Sequence, residues 1–184
     1  MIFPHTYKLT GLFSVLLFFS SISSPVIGDT MSDLFSSIDQ RLAYMESVAL
    51  FKAENQLAIE DIERELIVIA DAKHMAETEG LSAESVADFF TAQIAVAKAI
   101  QYRYRAELLS SPGTDQAVDL NAEIRPALTL LGNRIVVLLA KYLEETNGFS
   151  QTHGEQFNRA ITSRFVLENE KSILFNALLK AQLK

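Results

Sequence analysis

The 184-residue sequence contains no cysteine and no tryptophan, and only 7 glycines, 4 prolines and 3 histidines. Without cysteine, disulfide bonds and thiol catalysis are excluded, so the stability of the protein must come from core packing. So few glycines and prolines leave little room for the frequent turns of an all-β fold. The missing residue types therefore exclude thiol chemistry and favour helices.

The histidines, His5, His74 and His153, are scattered along the chain. The sequence has no Glu-x-x-His pair of the kind found in di-iron bundles, and no spacing typical of a zinc site. A Ser–His–Asp arrangement would need His74 or His153, and neither lies in a nucleophile-elbow sequence. We therefore expect no metal and no cofactor, and we interpret both as surface residues.

The amino-terminal residues differ in kind from the rest. A short, weakly basic start precedes a run rich in Leu and Phe, and a Ser-rich stretch then ends at Gly28. This layout is typical of a secretory signal peptide cleaved before Asp29. The alternative is a membrane anchor, but the apolar run is too short to span a bilayer comfortably. The sequence predicts a signal peptide over 1–28, one domain over 29–184, and a periplasmic or secreted protein.

The chain is acidic, with a formal net charge of −7. Removal of residues 1–28 deletes one lysine and no acidic residue, so −7 becomes −8. An acidic exported domain is a poor ligand for nucleic acid. We therefore expect no nucleic-acid partner, and no membrane contact once the signal peptide has been removed.

Apolar residues recur at three- and four-residue spacing through most of the mature chain, which is the period of amphipathic helices. The spacing predicts helices over 31–56, from about 61 to 79, and over 82–109, then a fourth that begins near 121–125 and ends before 147. One or two final helices follow over 152–184, bent at the Thr162-Ser163 pair if continuous. Four residues suit helix ends: Asp61 in a first turn, Gly80 after a last turn, Ser82 as an N-cap and Pro126 in an opening turn. The predicted fold class is all-α, a helical bundle of about five to six helices.

Two cations on the first predicted helix are the most informative feature. Arg41 and Lys52 are eleven residues apart, so at about 100° per residue they return to nearly the same face, which is otherwise mostly apolar. An unpaired cation in apolar surroundings needs an anion. The alternative is a solvated face or a snorkelling lysine, although no acid lies four residues from either cation. Arg64 on the next helix allows two readings as well, a second pocket cation or a local ion pair with Glu60 or Asp61.

The third helix places Gln93, Ala97 and Gln101 on one stripe at successive four-residue steps. Two amides separated by a small residue can line a cavity. They can equally belong to a core helix and satisfy backbone groups, and the pattern alone favours this second interpretation.

These residues form an ordered set: Gln40-Arg41, Phe51-Lys52, Asp61-x-x-Arg64-Glu65, Phe89-Phe90-x-x-Gln93, Lys98-x-x-Gln101 and Arg125-Pro126. The set resembles the all-helical (type II) chorismate mutases over roughly 33–143, most strongly from Gln40 to Tyr104. The predicted signal peptide and the extra carboxyl-terminal helices make it similar to their secreted (gamma) subclass. The carboxyl-terminal disulfide of some members of that subclass is impossible here.

The resemblance implies conversion of chorismate to prephenate, a step in aromatic amino acid biosynthesis. This intramolecular Claisen rearrangement needs no proton transfer and no cofactor, only a confined dianion and stabilised charge on the breaking ether oxygen. By resemblance, Arg41 and Arg125 grip the substrate carboxylates, and Lys52 and Gln101 donate to the ether oxygen. The implied catalytic residues are Arg41, Lys52 and Gln101, and the implied binding residues add Asp61, Arg64, Glu65, Val68, Ala97 and Arg125.

Two departures from relatives matter. Gln101 stands where some secreted members have a glutamate that must be protonated, so activity is expected to extend to neutral pH and above. Ala97 lacks the hydroxyl that relatives can carry there. In short members an arginine of the partner chain completes each site, whereas Arg125 lies on the same chain, so we expect a homodimer with complete sites. The alternative functions are an isochorismate–pyruvate lyase and a non-catalytic exported helical binding protein.

Overall fold

A computed structural model describes residues 27–111 and 116–184, and within these ranges the chain folds into six α-helices and contains no strand longer than an isolated bridge. The helices are α1 (Ile27–Glu54), α2 (Ile62–Thr78), α3 (Ala83–Ser110), α4 (Arg125–Glu145), α5 (Gly154–Ala160) and α6 (Glu168–Leu178). A π-helical turn, Leu120–Ile124, leads into α4, and a 3₁₀ turn, Gln151–His153, leads into α5. The all-α prediction is confirmed.

Helix α1 begins earlier than predicted, at Ile27 rather than near residue 31. The predicted signal peptide otherwise lies outside the described residues, and its predicted cleavage point before Asp29 falls in the first turn of α1. Asp29 places a carboxylate in that turn, where it interacts favourably with the helix dipole.

The core lies around α1, which packs against both α3 and α4. Each helix contributes the apolar stripe that its sequence spacing predicts, because residues three and four apart lie on one face. The largest fully buried side chains include Phe35, Ile38, Leu42, Phe89, Ile100, Ile135, Leu139 and Phe157. Long helices on either side of α1 therefore hold its face, and the two cations on it, in fixed positions.

One stretch within the described ranges, Leu120–Glu145, is long and apolar enough to cross a membrane by length and composition alone, with a mean hydropathy of 1.3. Its apolar face is occupied in this fold, since Ile135, Val136 and Leu139 are buried in the core against α1. The hydropathy of α4 is that of a core helix.

The ends of α1 and α2 share one hydrogen-bonding pattern, the Schellman motif. After α2, Gly80 has a positive φ of 73° and the Leu81 amide donates to the Ala76 carbonyl at 2.8 Å. After α1, Gln56 occupies the equivalent position with φ 56°, and the Leu57 amide donates to the Lys52 carbonyl at 2.8 Å. The prediction for Gly80 is confirmed. At the end of α1, Gln56 adopts the same positive φ although it has a side chain.

The other predicted helix ends agree with the structure, with one correction. The Ser82 hydroxyl caps α3 and Pro126 lies in the opening turn of α4. Asp61 is not in the first turn of α2 but is its N-cap, and its carboxylate accepts from the Arg64 amide. This placement leaves the Asp61 side chain outside the helix, free to reach another element.

The carboxyl-terminal segment contains two helices, α5 and α6, and the non-helical residues 161–167 separate them. The break is held by Asp39 of α1, whose carboxylate accepts from the Thr162 amide at 2.9 Å and the Ser163 amide at 2.8 Å. Both hydroxyls of the pair donate to the same carboxylate, at 2.7 and 2.6 Å. The Thr162-Ser163 pair therefore anchors the final helices to α1, close in sequence to Arg41.

Candidate active site

A cavity of about 130 Å³ lies between α1, α2, α3 and α4. Its lining contains all nine residues that the sequence suggested: Arg41, Lys52, Asp61, Arg64, Glu65, Val68, Ala97, Gln101 and Arg125. Other lining residues are Met45, Val48, Ile59, Asp71, Ala72, Phe90, Ile94, Lys98, Leu120, Leu128, Thr129, Gly132 and Asn133. We call this space the central cavity.

Each wall of the central cavity comes from a different helix. Arg41 and Lys52 project from α1, and eleven residues of helix bring them to one side. Arg64 and Glu65 come from the start of α2, Ala97 and Gln101 from the middle of α3, and Arg125 from the start of α4. The amphipathic faces that build the core therefore also bring the polar groups together.

The cavity is cationic although the whole chain is acidic. Five cations and three carboxylates line it: Arg41, Lys52, Arg64, Lys98 and Arg125 against Asp61, Glu65 and Asp71. Five minus three leaves a formal charge of +2 in a partly apolar space, where charges are screened less than at the surface. A ligand with two negative charges matches this excess.

Arg41 is a buried cation without a carboxylate partner. Its side chain is 5% exposed, and it makes no salt bridge with any part of the chain that the structure describes. The guanidinium lies over the Phe90 ring, 5.6 Å from its centroid, and Nη1 is 3.5 Å from Gln93 Oε1. Burial, together with the nearby charge of Arg64, lowers the pKa of Arg41 to about 10, so the group stays charged at neutral pH.

Lys52 is 7% exposed and lies in the last turn of α1. The turn around Gln56 reverses the chain, so the Ile59 carbonyl accepts a hydrogen bond from Lys52 Nζ at 2.5 Å. Burial lowers the pKa of Lys52 below the ordinary 10.5, and the charge of Arg125 lowers it further, whereas Asp61 and Glu65 raise it. The ammonium therefore faces the cavity while a backbone oxygen holds it.

The two oxygens of Asp61 serve different helices. Oδ1 accepts from the Arg64 amide at 3.2 Å and so caps α2, while Oδ2 binds Arg125 Nη2 of α4 at 2.9 Å. The second arginine nitrogen, Nη1, donates to Asn121 Oδ1 at 2.7 Å. Arg125 thus reaches the cavity from within its own chain, held by one charged and one neutral acceptor.

Of the four remaining charged residues, Glu65 and Lys98 form an ion pair, and Arg64 and Asp71 do not pair with each other. Glu65 Oε2 binds Lys98 Nζ at 2.9 Å, which joins α2 to α3. The Arg64 side chain forms no ion pair within residues 27–111 and 116–184, so the local pair with Glu60 or Asp61 is not present. Arg64 lines the cavity, as its alternative interpretation predicted.

Gln101 satisfies both interpretations of the amide stripe. It is 5% exposed and lines the cavity, and its Nε2 donates to the Ala97 carbonyl at 3.2 Å. Met45 Sδ lies 3.7 Å from the same nitrogen, and Oε1 has no partner. Gln93, about two turns earlier, is fully buried against Arg41 and does not line the cavity.

Sequence reasoning missed several polar residues of the lining, among them Asp71, Lys98, Thr129 and Asn133. For Thr129 and Asn133 a signal existed, since they follow Arg125 at successive four-residue steps and so share its face of α4. Lys98 pairs with a residue 33 positions away, and no local pattern predicts that contact.

Neither histidine of the described ranges, His74 or His153, lines the central cavity. His74 is exposed, as predicted, whereas His153 is half-buried, with its ring 6.4 Å from that of Tyr142 and its Nδ1 accepting from the Ser150 amide. His5 lies outside the described residues. No group of three or more His, Asp or Glu side chains that could hold a metal ion is found in the described ranges.

Comparison with known proteins agrees with this geometry. Residues 32–102 match the family model of chorismate mutase type II. The chain is 33% identical over 175 residues to a monofunctional chorismate mutase of Enterobacter agglomerans, which covers 91% of this chain and 96% of that protein. It is 35% identical over 147 residues to a secreted chorismate mutase of Yersinia pestis, which covers 80% of this chain and 79% of that protein.

The fold comparison gives the same result. The crystal structure of the Yersinia pestis secreted chorismate mutase superposes with a TM-score of 0.76, covering 83% of this chain and 98% of that one. The family model spans most of α1, all of α2 and most of α3, which are three of the four helices that line the central cavity, and the structural match covers most of both chains. The chain belongs to the all-helical, type II chorismate mutases.

Proposed function

We propose that this protein converts chorismate to prephenate in the central cavity. The observation that carries the proposal is the pair Arg41 and Lys52, two buried cations on one face of α1 with no ion-pair partner in the described chain. Holding such charges in a partly apolar space disfavours the empty protein unless an anion compensates them. Chorismate is a dianion, and the cavity has an excess of two positive charges.

The reaction breaks the ether C–O bond and forms a C–C bond within one molecule, so atoms and electrons balance without a co-reactant. The protein has to hold the substrate in a compact geometry and stabilise the negative charge that develops on the ether oxygen. Neither task needs a nucleophile, a base or a metal. The central cavity supplies positive charge and donors, which suits these tasks.

In this proposal Lys52 and Gln101 donate to the ether oxygen from α1 and α3. Lys52 Nζ has three donor hydrogens, so it can keep its bond to the Ile59 carbonyl and still donate to substrate. Gln101 Nε2 donates to the Ala97 carbonyl and exchanges that hydrogen bond for one to the substrate. Its neutral amide donates at any pH, whereas a carboxyl group would have to be protonated.

Arg41 and Arg125 bind the two substrate carboxylates, because the planar guanidinium can form two parallel hydrogen bonds with a carboxylate. Arg125 is already oriented by Asp61 and Asn121. Arg64 adds positive potential. Glu65, together with the backbone near Asp61, holds the ring hydroxyl, and Val68 and Ala97 form apolar parts of the wall.

The experiment is an assay of the mature protein, residues 29–184, with chorismate and identification of the product. We expect prephenate, at a rate well above that of the uncatalysed rearrangement. Lys52→Met should lower kcat/KM by at least 100-fold, since it removes a donor to the reacting oxygen. Lys180→Met, at an exposed lysine far along the chain, is the matched control and should change little.

Absence of chorismate turnover by the folded wild-type protein would contradict the proposal. Pyruvate release from isochorismate, without rearrangement of chorismate, would favour the lyase instead. Binding of chorismate without turnover would indicate a protein that keeps the scaffold only for binding.

We further propose that the protein is exported and that its signal peptide ends at Gly28. The relative from Yersinia pestis is named a secreted chorismate mutase, and the order of basic, apolar and small residues before Asp29 supports export here. Expression of the full sequence in a Gram-negative host, followed by amino-terminal sequencing of the periplasmic fraction, should give Asp29 as the first residue. Retention of the intact chain in the cytoplasm would contradict export.

We also propose a homodimer whose two active sites are each complete in one protomer. Support comes from Arg125, which reaches the cavity of its own chain through Asp61. Inactive Lys52→Ala and Arg125→Ala proteins, mixed under conditions that exchange subunits, should stay inactive. Recovered activity would show that the sites are shared between chains, and a monomeric mass in solution would contradict the dimer.

A further inference from the structure

Gln93 stands behind Arg41, on the side away from the cavity. Its side chain is 0% exposed and is absent from the cavity lining. Gln93 Oε1 lies 3.5 Å from Arg41 Nη1, and Gln93 Nε2 has no hydrogen-bond partner. A buried amide with an unused donor destabilises the fold, so its presence beside a binding residue calls for a physical reason.

The contact fixes the orientation of the amide. A guanidinium has only donors, so the oxygen of Gln93 and not its nitrogen must face Arg41. The nitrogen is buried and has no hydrogen-bond partner. The amide is thus oriented with its oxygen towards Arg41, and its nitrogen is left without an acceptor.

Arg41 differs from Arg125 and Lys98, the two cations of the cavity that form ion pairs, because its acceptor is uncharged. Arg125 has Asp61 as a partner and Lys98 has Glu65, each at 2.9 Å. Arg41 has a neutral oxygen and the face of the Phe90 ring. A neutral acceptor orients the guanidinium without cancelling its charge, whereas a carboxylate at the same place would form an ion pair and compete with substrate.

We propose that Gln93 is a positioning residue that orients Arg41 from behind and leaves its whole positive charge for a substrate carboxylate, so that position 93 sets the affinity of the cavity for a dianion. The inference deepens the proposed function and rests on it.

The first test is Gln93→Glu, which keeps the size of the side chain and adds a charge. We expect KM for chorismate to rise at least tenfold, with a smaller change in kcat, since the introduced carboxylate competes for Arg41. Gln40→Glu is the matched control: the same change on the exposed face of α1, next to Arg41 in sequence, should alter KM less than twofold. An unchanged KM in Gln93→Glu would overturn the inference.

The second test asks whether Gln93 acts through Arg41. Gln93→Met removes the acceptor and should lower kcat/KM about five- to tenfold. In an Arg41→Ala background the same change should have less than a twofold effect, because the group it positions is gone. Equal effects in both backgrounds would show a merely structural role and overturn the inference.

Thermal unfolding separates failure of this inference from failure of the proposed function. Activity of the wild-type protein on chorismate decides the function alone. Whatever that result, Gln93→Glu should unfold at a higher temperature than Gln93→Met at pH 7.5, since a carboxylate compensates the buried Arg41 and a thioether does not. The opposite order would mean that the two side chains do not interact, and would overturn the inference even for an active enzyme.

Discussion

At the scale of single residues, Gln101 provides a pH-dependent test of catalysis. We expect Gln101→Glu to keep activity in acid and lose it as the pH rises through the pKa of the introduced carboxyl, because only the protonated form can donate to the ether oxygen. At neutral pH we expect a loss of at least tenfold in kcat/KM. The wild-type protein, measured in the same buffers, should show no such loss, since an amide does not titrate. Matching pH profiles would remove Gln101 from its assigned role.

Lys52 and Arg41 predict a second profile, on the alkaline side. Burial lowers the pKa of both groups, that of Arg41 to about 10 and that of Lys52 below 10.5. Activity should therefore decline on the alkaline side, as the pH rises through the lowered pKa of each group, and at lower pH than for an exposed lysine. A folded-state pKa below the unfolded one means that the charged form destabilises the fold, and this penalty is lost as the pH rises from the folded-state pKa to the unfolded-state pKa.

As the pH rises, loss of the Lys52 charge should lower activity but stabilise the fold, so the two measurements should change in opposite directions. Lys52→Met should raise Tm at neutral pH by roughly 2–4 °C, if removal of the buried charge stabilises the fold by about 1 kcal/mol. The difference in Tm from the wild type should shrink as the pH approaches 10. A lower Tm for Lys52→Met at neutral pH, or a difference that grows with pH, would contradict the assigned cause.

The residue scale also marks the limit of sequence reasoning about the site. Helical spacing placed Arg41 and Lys52 on one face and offered Arg64, Ala97 and Gln101 as candidates, and family resemblance supplied Asp61, Glu65, Val68 and Arg125. All nine residues line the cavity. The hydrogen bonds among them were not predictable. Lys52 meets the Ile59 carbonyl, and Arg41 meets Gln93, 52 positions away, because of how the helices pack.

At the scale of elements, the end of α1 carries backbone strain that can be removed. Gln56 has a positive φ of 56°, a region that costs a side-chain residue roughly 1–2 kcal/mol. The equivalent position after α2 is Gly80, which adopts it without this cost. Gln56→Gly should therefore raise the free energy of unfolding by about 0.5–1 kcal/mol, measured by urea denaturation.

Gln56→Val is the matched control and should destabilise, because a β-branched side chain fits that backbone conformation worse. Since the turn only places the Ile59 carbonyl, kcat/KM of Gln56→Gly should stay within about twofold of the wild type. No gain in stability would show that the end of α1 is unstrained despite its positive φ.

Helix boundaries are predictable where capping residues and apolar periodicity agree, and are not predictable where a residue distant in sequence determines the helix end. Gly80 and Ser82 bound α2 and α3 where local rules place them. The sequence left open whether one bent helix or two helices follow residue 152, and two form, because Asp39 of α1 supplies acceptors for the Thr162 and Ser163 backbone amides. Residue 39 is more than 120 positions away, beyond the reach of any local pattern.

At the scale of the whole molecule, the central cavity and the complete chain have formal charges of opposite sign. The chain has a net charge of −7, yet the central cavity has a formal charge of +2. We expect dianionic ligands to stabilise the protein strongly: a stable dicarboxylate analogue of the transition state, at 100 times its Kd, should add about 2.7 kcal/mol, or roughly 5–10 °C in Tm.

The matched control for this prediction is the monocarboxylate form of the same analogue, tested in the same buffer and salt. It should give a smaller shift, because one of the two excess charges would remain uncompensated. Equal shifts for both compounds would mean that apolar contacts, and not the cationic pair, dominate binding.

The two tasks of the Asp61 carboxylate suggest how this protein would change if selection for its activity ended. The arginines and Lys52 would be the first residues to drift, since their loss removes an unfavourable concentration of positive charge. Position 61 would drift last and within narrow limits, because the start of α2 still requires a short polar cap such as Asp, Asn or Ser. In a descendant that had lost these cations, the capping residue at position 61 would be a remaining sign that the chain descends from an enzyme.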